Sequence, residues 1–525
     1  MRFAHVGWTC QHAAMEWLQA LDFDQALKNV RTDIIGDWYR DPWDWCELDW
    51  VVSRKLDVFV VPRLDDTGVK ATVPLDVPKE NFAVRPAVVL DPLDRLVYQA
   101  LVDRASVALI GGLHRWAYGW RLPPRDPQPG IYARNNKQWE AFRTHLETLT
   151  AFHECALTTD VVSYFMSIPL DPLLEQVVGL VSNRPAERLV NMLEAWYHRT
   201  GKGLPQRCGA SAVLAHMYLR PVDDVLQHYN EMTSQFGRVF VPEGRTLRWM
   251  DDMWVFGESR LDLREVQVAI QASLRQVELE MNVGKTTILE GEDMTAAVFE
   301  IEHSAVDQGI DRDEVDEEPL DHLIERLVAE PELAERTSIR FATTRMREEQ
   351  LFKRVPDLAG VADRMPHGSD HLARLFRDSE HWRDLQEWYA DYARRWSVRL
   401  PWSVAQFGTM FPSNAKVETQ VVERFGETLA LPAAPLPVLS VAAQRMAAWR
   451  PDEARLVLKE AAKLDTPPLA TRSLALAALH AGEVRPVVRR LLRQHEENAA
   501  ILALLEESNF AKRAVRVSKD FSGER

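Results

Sequence analysis

Cysteine is scarce and scattered in this chain. Cys10, Cys46, Cys155 and Cys208 form no Cys-x-x-Cys pair and no zinc-ligand set, which fits a reducing cytosol. Long apolar runs are also missing. Nothing approaches the length of a membrane span, and the stretch from Met1 to Trp8 has no apolar signal core. The expectation is a cytoplasmic protein with no membrane partner. Positive charge is in deficit, with 63 Lys and Arg against 78 Asp and Glu, a formal net charge of -15. The surface as a whole therefore does not advertise nucleic-acid binding, although a negative total leaves room for a local basic groove. What is present is ordinary globular material in quantity. Hydrophobic residues make up 46% and charged residues 27% of 525 positions, enough for a sizeable core and roughly two to four domains. Tryptophan is plentiful at 17, and eight of these lie between Trp8 and Trp120.

Patterning divides the chain near residue 305. Up to there, helical and strand-like segments mix. Residues 1 to about 55 carry helical spacing, with Met15, Trp17, Leu18 and Leu21 on one face, and the aromatic, acidic stretch Asp37 to Trp45 reads as a packed loop. Apolar runs at Leu56 to Val61, Val69 to Val73 and Val84 to Leu90 read as strands. Asp94 to Ser106 reads as an amphipathic helix, Gly111 to Gly130 as a loop, and Asn136 to Thr150 as a helix. A strand is expected over Cys155 to Val162, helices over Ser211 to Tyr229 and Leu261 to Asn282, and a further strand from Gly284. Asp307 to Asp321 is acidic enough for a solvated linker. Beyond it strand signals nearly vanish, and helical patterns alternate with Pro or Gly breaks without a strict repeat period. The expected architecture is α+β over 1–305 and an all-α, helical-repeat-like domain over 306–525, with a polar tail from Arg513 to Arg525.

The stretch Leu247-Arg248-Trp249-Met250-Asp251-Asp252-Met253-Trp254-Val255-Phe256 sets two carboxylates between two apolar runs. It predicts a hairpin with Asp251 and Asp252 at its tip. Such a tip suits capture of a hard cation, because Mg²⁺ takes oxygen ligands and usually one or two carboxylates. The plain alternative is an acidic turn, since Asp65-Asp66 and Asp223-Asp224 are also adjacent pairs. Asp160, at the end of a buried strand and followed by aromatics, is a second candidate ligand.

Taken in order, five segments resemble the motifs of reverse transcriptases, over roughly residues 70 to 290. Thr159-Asp160-Val161-Val162-Ser163-Tyr164-Phe165-Met166-Ser167-Ile168 resembles motif A, and Gly203-Leu204-Pro205-Gln206 with Ser211 and the following Leu214 to Leu219 resembles motif B. Arg248-Trp249-Met250-Asp251-Asp252 resembles the YxDD box of motif C, and Met281-Asn282-Val283-Gly284-Lys285-Thr286 resembles motif D. Upstream, Arg85-Pro86 and Asp94 to Leu101 resemble the fingers motifs. There are two departures: Trp249 stands where the family has Tyr, and Arg207 follows Pro-Gln where Gly is usual.

The resemblance implies a right-hand fingers–palm fold and nucleotidyl transfer on two Mg²⁺ ions, with Mn²⁺ as a substitute. Asp160, Asp251 and Asp252 would be the metal-binding carboxylates, with Val161 beside them in the metal set. Lys79, or its rival Lys70, and Arg85 would neutralise the triphosphate. Lys285 would stabilise or protonate the pyrophosphate leaving group. Gln206 would contact nucleotide or template. Phe165, five residues after Asp160, would stack under the sugar and select dNTPs by excluding a 2′-hydroxyl.

Among reverse transcriptases, the retron Val-Thr-Gly signature is not found, and the C-terminal half shows neither a maturase region nor a Cys/His endonuclease. A palm followed by a helical array is most similar to the abortive-infection and defence-associated enzymes of bacteria. That likeness implies phage defence by DNA synthesis, on an RNA template or a non-coding RNA or without a template. It also implies a DNA product that in some members is primed from a protein hydroxyl, and in some a homo-oligomer. Tyr39, Tyr118 and Tyr132, in loop-like segments, are the best-placed hydroxyls. Arg-rich segments (Arg340, Arg345, Arg347, Lys353, Arg354; Arg485, Arg489, Arg490, Arg493) either hold nucleic acid or are solvated helix faces. The alternatives to an active polymerase of this kind are a nucleic-acid-binding scaffold on a repurposed palm and a retron or group II intron type of enzyme.

Overall fold

The computed structural model describes residues 20–507 apart from 65–67, 182, 198–199, 235–243, 300, 311–315, 432, 462 and 465. Expectations for Met15, Trp17 and Leu18, for the Asp65-Asp66 pair, for Cys10, and for the tail from Arg513 lie outside the described residues. Cys46, Cys155 and Cys208 are buried free thiols.

Two compact units emerge. The first takes the chain up to Asp37, Leu56–Ala71 and Pro92–Ile301; the second takes Trp38–Lys55, Thr72–Asp91 and the chain from Glu302. The first is α+β and the second is helical apart from one hairpin.

In the first unit a five-stranded sheet runs in the order β3-β5-β6-β4-β7. Its strands are β3 (Ala117–Tyr118), β4 (Cys155–Thr159), β5 (Thr246–Trp249), β6 (Asp252–Gly257) and β7 (Thr287–Glu290). Along β5, β6, β4 and β7 each strand is antiparallel to its neighbour, and β3 joins β5 in parallel. The middle strands are buried on both faces: Cys155, Ala156, Leu157, Leu247, Met253, Val255 and Phe256 are all at most 2% exposed. Two-sided burial is why these runs read as near-continuously apolar rather than alternating.

Helix Pro92–Ile110 spans the expected Asp94–Ser106 segment but is not amphipathic, since it is buried on nearly all sides. Its polar residues have internal partners. Asp94 accepts from Arg63 (2.7 Å), Gln99 accepts from the Ala210 N–H (3.1 Å), and Asp103 accepts from Tyr132 (2.7 Å). The polar stripe that suggested a solvent face is a second interior face, satisfied as buried polar groups must be.

Other boundaries also move. Leu56–Phe59 is a helical turn followed by a 3-10 turn, not a strand. A short apolar run cannot be told from a helix by periodicity alone. Val69 to Lys70 is loop, tied down where the Lys70 N–H donates to Asp94 Oδ2 (2.7 Å). The single helix expected over Ser211–Tyr229 is two, Gly209–Tyr218 and Arg220–Ser234, with Pro221 near the start of the second. Helix Arg260–Gln276 stops short of Asn282. Glu278 turns left-handed at φ 56°, Leu279 N–H donates to Leu274 O (2.9 Å), and Glu278 N–H donates to Arg275 O (3.2 Å). That is a Schellman stop, and it releases Leu279 to Thr286 to cross the end of β4.

In the second unit, β1 (Val73–Pro78) and β2 (Val84–Val89) form an antiparallel ribbon. Pro74, Pro78 and Pro86 are tolerated because each strand of a two-stranded ribbon has a free edge. Helix Leu436–Trp449 lies at the centre of the helical packing, against Thr419–Ala430, Pro401–Gly408 and Pro468–His480. The aromatic loop from Trp38 to Trp45 is fixed to these helices. Trp402 Nε1–H donates to Trp38 O (2.6 Å), and the fully buried Arg472 binds Asp41 (2.7 Å) and both oxygens of Glu47 (2.8 and 2.7 Å). Among the described residues no helix is long and apolar enough to cross a membrane.

Candidate active site

The β5–β6 connection is a two-residue turn, because Trp249 pairs with Asp252. Met250 and Asp251 form the turn itself, and Asp252 opens β6. Met250 adopts φ 55°, a left-handed conformation that costs a non-glycine residue about 1–2 kcal/mol. A buried network holds that strained residue. Arg248, 0% exposed, forks onto Asp223 (Nε to Oδ1 2.7 Å, Nη2 to Oδ2 2.6 Å). Its Nη1 donates to the Met250 carbonyl (2.9 Å) and to His216 Nδ1 (2.9 Å). His216 in turn donates from Nε2 to Gly119 O (2.6 Å). Accepting from Arg248 requires the neutral tautomer with a free Nδ1, and desolvation with the nearby Arg248 charge pushes the His216 pKa well down.

Strand β4 brings in the other carboxylate. Thr159 pairs with Met253, so Asp160, the next residue, falls beside Asp252. The segment after the Schellman stop then seals this end of the strand. Asn282 N–H donates to Asp160 O (2.9 Å), Val162 N–H donates to Glu280 O (2.9 Å), and Val161 bridges Met281. The Thr159 and Thr286 hydroxyls bond at 2.7 Å. Lys285 thereby reaches Asp160, Nζ to Oδ2 3.1 Å, while its side chain stays 70% exposed. Asp160, Val161, Asp251, Asp252 and Lys285, distant in sequence, share one corner of the sheet.

Desolvation, Asp252 and Asp160 push the Asp251 carboxyl up to about 7; desolvation and Asp160 also raise Asp252, and Lys285 opposes both shifts. Asp160 Oδ1 is buried with no hydrogen-bond partner. Among the described residues no three His, Cys, Asp or Glu side chains already stand in a ligating arrangement, and Asp160 Oδ2 is taken by Lys285. The donor set nonetheless fits a hard divalent cation. It is all oxygen, it carries an orphaned buried acceptor, and its mutual repulsion is what a bound dication would relieve.

Motif A continues into the short helix Tyr164–Ser167. Phe165 is half-buried, and its carbonyl accepts the Leu204 N–H (2.8 Å); Gly203 N–H donates to Ile168 O (2.9 Å). These bonds draw the Gly203–Gln206 turn alongside Phe165, and Gln206 is half-buried there. Gly203 has φ 123°, and a Cβ would sit 2.9 Å from the Tyr197 ring. Arg207 also takes a left-handed φ of 56°, the conformation for which the family's glycine is suited. It is exposed, and its carbonyl accepts from Arg95 Nη2 (2.8 Å) while Arg95 pairs with Asp37. Asp33 caps helix Gly209–Tyr218 by accepting the Gly209 N–H (2.6 Å).

Lys79 and Arg85 belong to the second unit. Lys79 N–H donates to Ala83 O (2.7 Å) at the ribbon turn, and Arg85 stacks over the Trp38 ring at 5.6 Å. Trp249 packs edge-on against Trp139 (5.0 Å) and Phe142 (5.9 Å). None of the ten tyrosines is exposed. The Tyr39 hydroxyl bonds Ser440 (2.8 Å), Tyr118 bonds His145 (3.1 Å) and Tyr132 bonds Asp103 (2.7 Å).

Sequence reasoning missed Arg248, Asp223 and His216. The signal is present for Arg248, since a lone arginine between apolar neighbours in a strand implies a buried counter-ion, whereas Asp223 reads from sequence only as half of another acidic pair. Arg95 and Asp33, which steady the motif B turn, left no local signal.

Residues 77–327 match the family model described as Reverse transcriptase (RNA-dependent DNA polymerase). A reverse-transcriptase-like domain is therefore present, within a longer chain whose C-terminal region is all α. The matched stretch draws on both units. Among curated proteins none matches the chain at a significant level.

Proposed function

We propose that the chain is an active polymerase that extends DNA from dNTPs, directed by RNA or untemplated. The single observation that carries this reading is the meeting of Asp160, Asp251 and Asp252, under Lys285, at one corner of the sheet of a reverse-transcriptase-like domain. Asp160 and Asp251, with Asp252 and the Val161 backbone beside them, would hold Mg²⁺. When bound, two such ions activate the primer hydroxyl and screen the triphosphate. The chain's own part is to fix the carboxylates before substrate arrives, through the sheet register and the Arg248 clamp on Met250. Lys285, exposed and already near Asp160, is placed to meet the leaving pyrophosphate with a positive charge or a proton. Phe165 fills the space beside the sugar, and Gln206 next to it contacts the base or template. Lys79 and Arg85 are kept as candidates for triphosphate binding. With its all-α region, the chain is read as a defence enzyme of the kind it resembles, with RNA and dNTPs as partners.

The test is incorporation of labelled dNTPs with Mg²⁺, with and without co-purified RNA, in wild type and Asp251→Ala. Label lost with the variant supports the reading. No incorporation under any template condition leaves the alternative, a nucleic-acid-binding scaffold. Phage challenge of cells carrying wild type or Asp251→Ala tests the defence role, which requires protection by the first alone.

A further inference from the structure

The arginine run of the helical unit separates in the structure into two kinds. Arg345 is matched by Asp307 (2.8 Å) and Glu348 (2.9 Å), Arg354 by Asp357 (2.5 Å), Asp321 (3.2 Å) and Glu325 (3.5 Å), and Arg489 by Glu506 (2.5 Å). These are solvated, neutralised helix faces.

Arg340 and Arg347 behave differently. With Arg336 they occupy one face of helix Arg336–Glu348, at positions four and seven residues apart. Helix Ser369–Asp378 packs against it and contributes Arg374 and Arg377. Arg347 Nε and Arg377 Nε converge on the two oxygens of Asp378 (2.6 and 3.1 Å). Arg336 takes Asp370 (2.8 Å). Arg340 and Arg374 form no hydrogen bond among the described residues. Arg40 joins from the aromatic loop. Desolvation lowers the Arg374 pKa, and the charges of Arg40, Arg347 and Arg377 lower it further; Arg40 is lowered by desolvation and by Arg377.

Arg340 and Arg374 thus stand among four further guanidiniums, and Asp370 and Asp378 are already bound by Arg336, Arg347 and Arg377. The chain has acidic residues in excess, 78 against 63, so a shortage of counter-ions does not explain the cluster. Like charges held together repel. The N–H donors of exposed Arg340 and half-buried Arg374 match the phosphodiester oxygens of a nucleic acid, which a guanidinium can bind bidentately.

We propose that the face formed by Arg336, Arg340, Arg347, Arg374, Arg377 and Arg40 binds the phosphate backbone of a nucleic-acid strand. The proposal leans on the polymerase reading only for the origin of that strand, template or product.

The experiment uses the full chain and a fluorescein-labelled oligodeoxynucleotide, with an oligoribonucleotide of the same sequence, followed by anisotropy across a salt series. In Arg340→Gln/Arg374→Gln affinity should fall about tenfold, and the slope of log affinity against log salt should shrink by about 1.4, from roughly 0.7 per lost contact on a single strand. Arg340→Lys/Arg374→Lys should keep most of the slope, and Arg345→Gln/Arg354→Gln should bind as wild type. Thermal melts confirm that each variant is folded. Wild-type affinity and slope in the Gln/Gln variant would overturn the proposal, as would displacement of the strand by pyrophosphate at matched ionic strength, which would mark a small-anion site. Wild-type protein that binds the strand but incorporates no dNTP under any template condition would fail the polymerase reading and leave this proposal standing.

Discussion

Replacing Arg248 separates the two things it does, which are to neutralise Asp223 and to hold the Met250 carbonyl. In Arg248→Met the Asp223 carboxylate, 2% exposed, loses both of its guanidinium bonds. Removing one partner of a buried pair costs about 3–5 kcal/mol, because the other charge is left uncompensated. The orphaned Met250 carbonyl adds about 1–3 kcal/mol. Against a domain stability of about 5–15 kcal/mol the single variant should be severely destabilised. Adding Asp223→Leu removes the stranded charge. A buried pair replaced by apolar residues of similar volume is often neutral, so the double variant should recover about 3 kcal/mol or more over the single in urea denaturation. It should not recover activity. Met250 keeps its left-handed φ of 55° only against a strain that nothing now opposes, and the turn carrying Asp251 is free to relax. A misplacement of about 1 Å at a reacting group can cost about 100-fold in rate, which single-turnover dNTP incorporation would register. A double variant no more stable than Arg248→Met would refute the ion-pair account. One that is stable and fully active would refute the clamp.

Four further outcomes follow from the same geometry. Phe165→Ala should narrow the preference for deoxynucleotides by at least about tenfold, the scale of one packing contact, and unchanged selectivity in competition assays would remove its role. Arg207→Gly relieves a left-handed residue and should change stability by no more than about 1 kcal/mol, on the stabilising side; assayed on a defined RNA template, it reports whether the arginine itself restricts templating. Burial pushes Asp103 up to about 7 and Asp33 up to about 6. Because both folded values lie above the unfolded ones, their contribution is fully present below about pH 4 and is lost as pH rises through 6 and 7. Chemical denaturation should show that loss, and Asp103→Asn should flatten the upper part of it, a swing on the order of 4 kcal/mol. Arg472→Met leaves Asp41 and Glu47 buried without their cation and should destabilise the helical unit by about 3–5 kcal/mol, visible as a lowered melting transition.

How much of this was legible in the sequence depended on whether the determining contact was local. β4 and the β5–β6 hairpin could be read because two-sided burial leaves an apolar run, and because a hairpin needs only neighbouring residues. The all-α character beyond residue 300 was legible for the same reason. Helix Pro92–Ile110 is legible in its place along the chain but not in its environment. Polar residues at helical spacing look alike whether they meet water or Arg63, Asp37 and Tyr132, partners 29 to 58 positions away. The Leu56 run had no partner strand to make it a strand, and nothing in the run itself says so.

The carboxylate site was legible in its parts and not in its support. Asp160, Asp251 and Asp252 stood out because acidic residues flanked by apolar ones are unusual, and their order along the chain gave them a common meaning. Asp223 is just as acidic and just as close to another aspartate, and only the fold separates it from them. It faces a guanidinium with both oxygens, so its charge is spent within the protein. Asp160 has one oxygen turned to Lys285 and the other to nothing. That difference, a satisfied carboxylate against an unsatisfied one, distinguishes a structural aspartate from a candidate ligand. It follows from the register of β4 on β6 and from the Schellman stop that delivers Lys285, neither of which any single stretch of sequence contains.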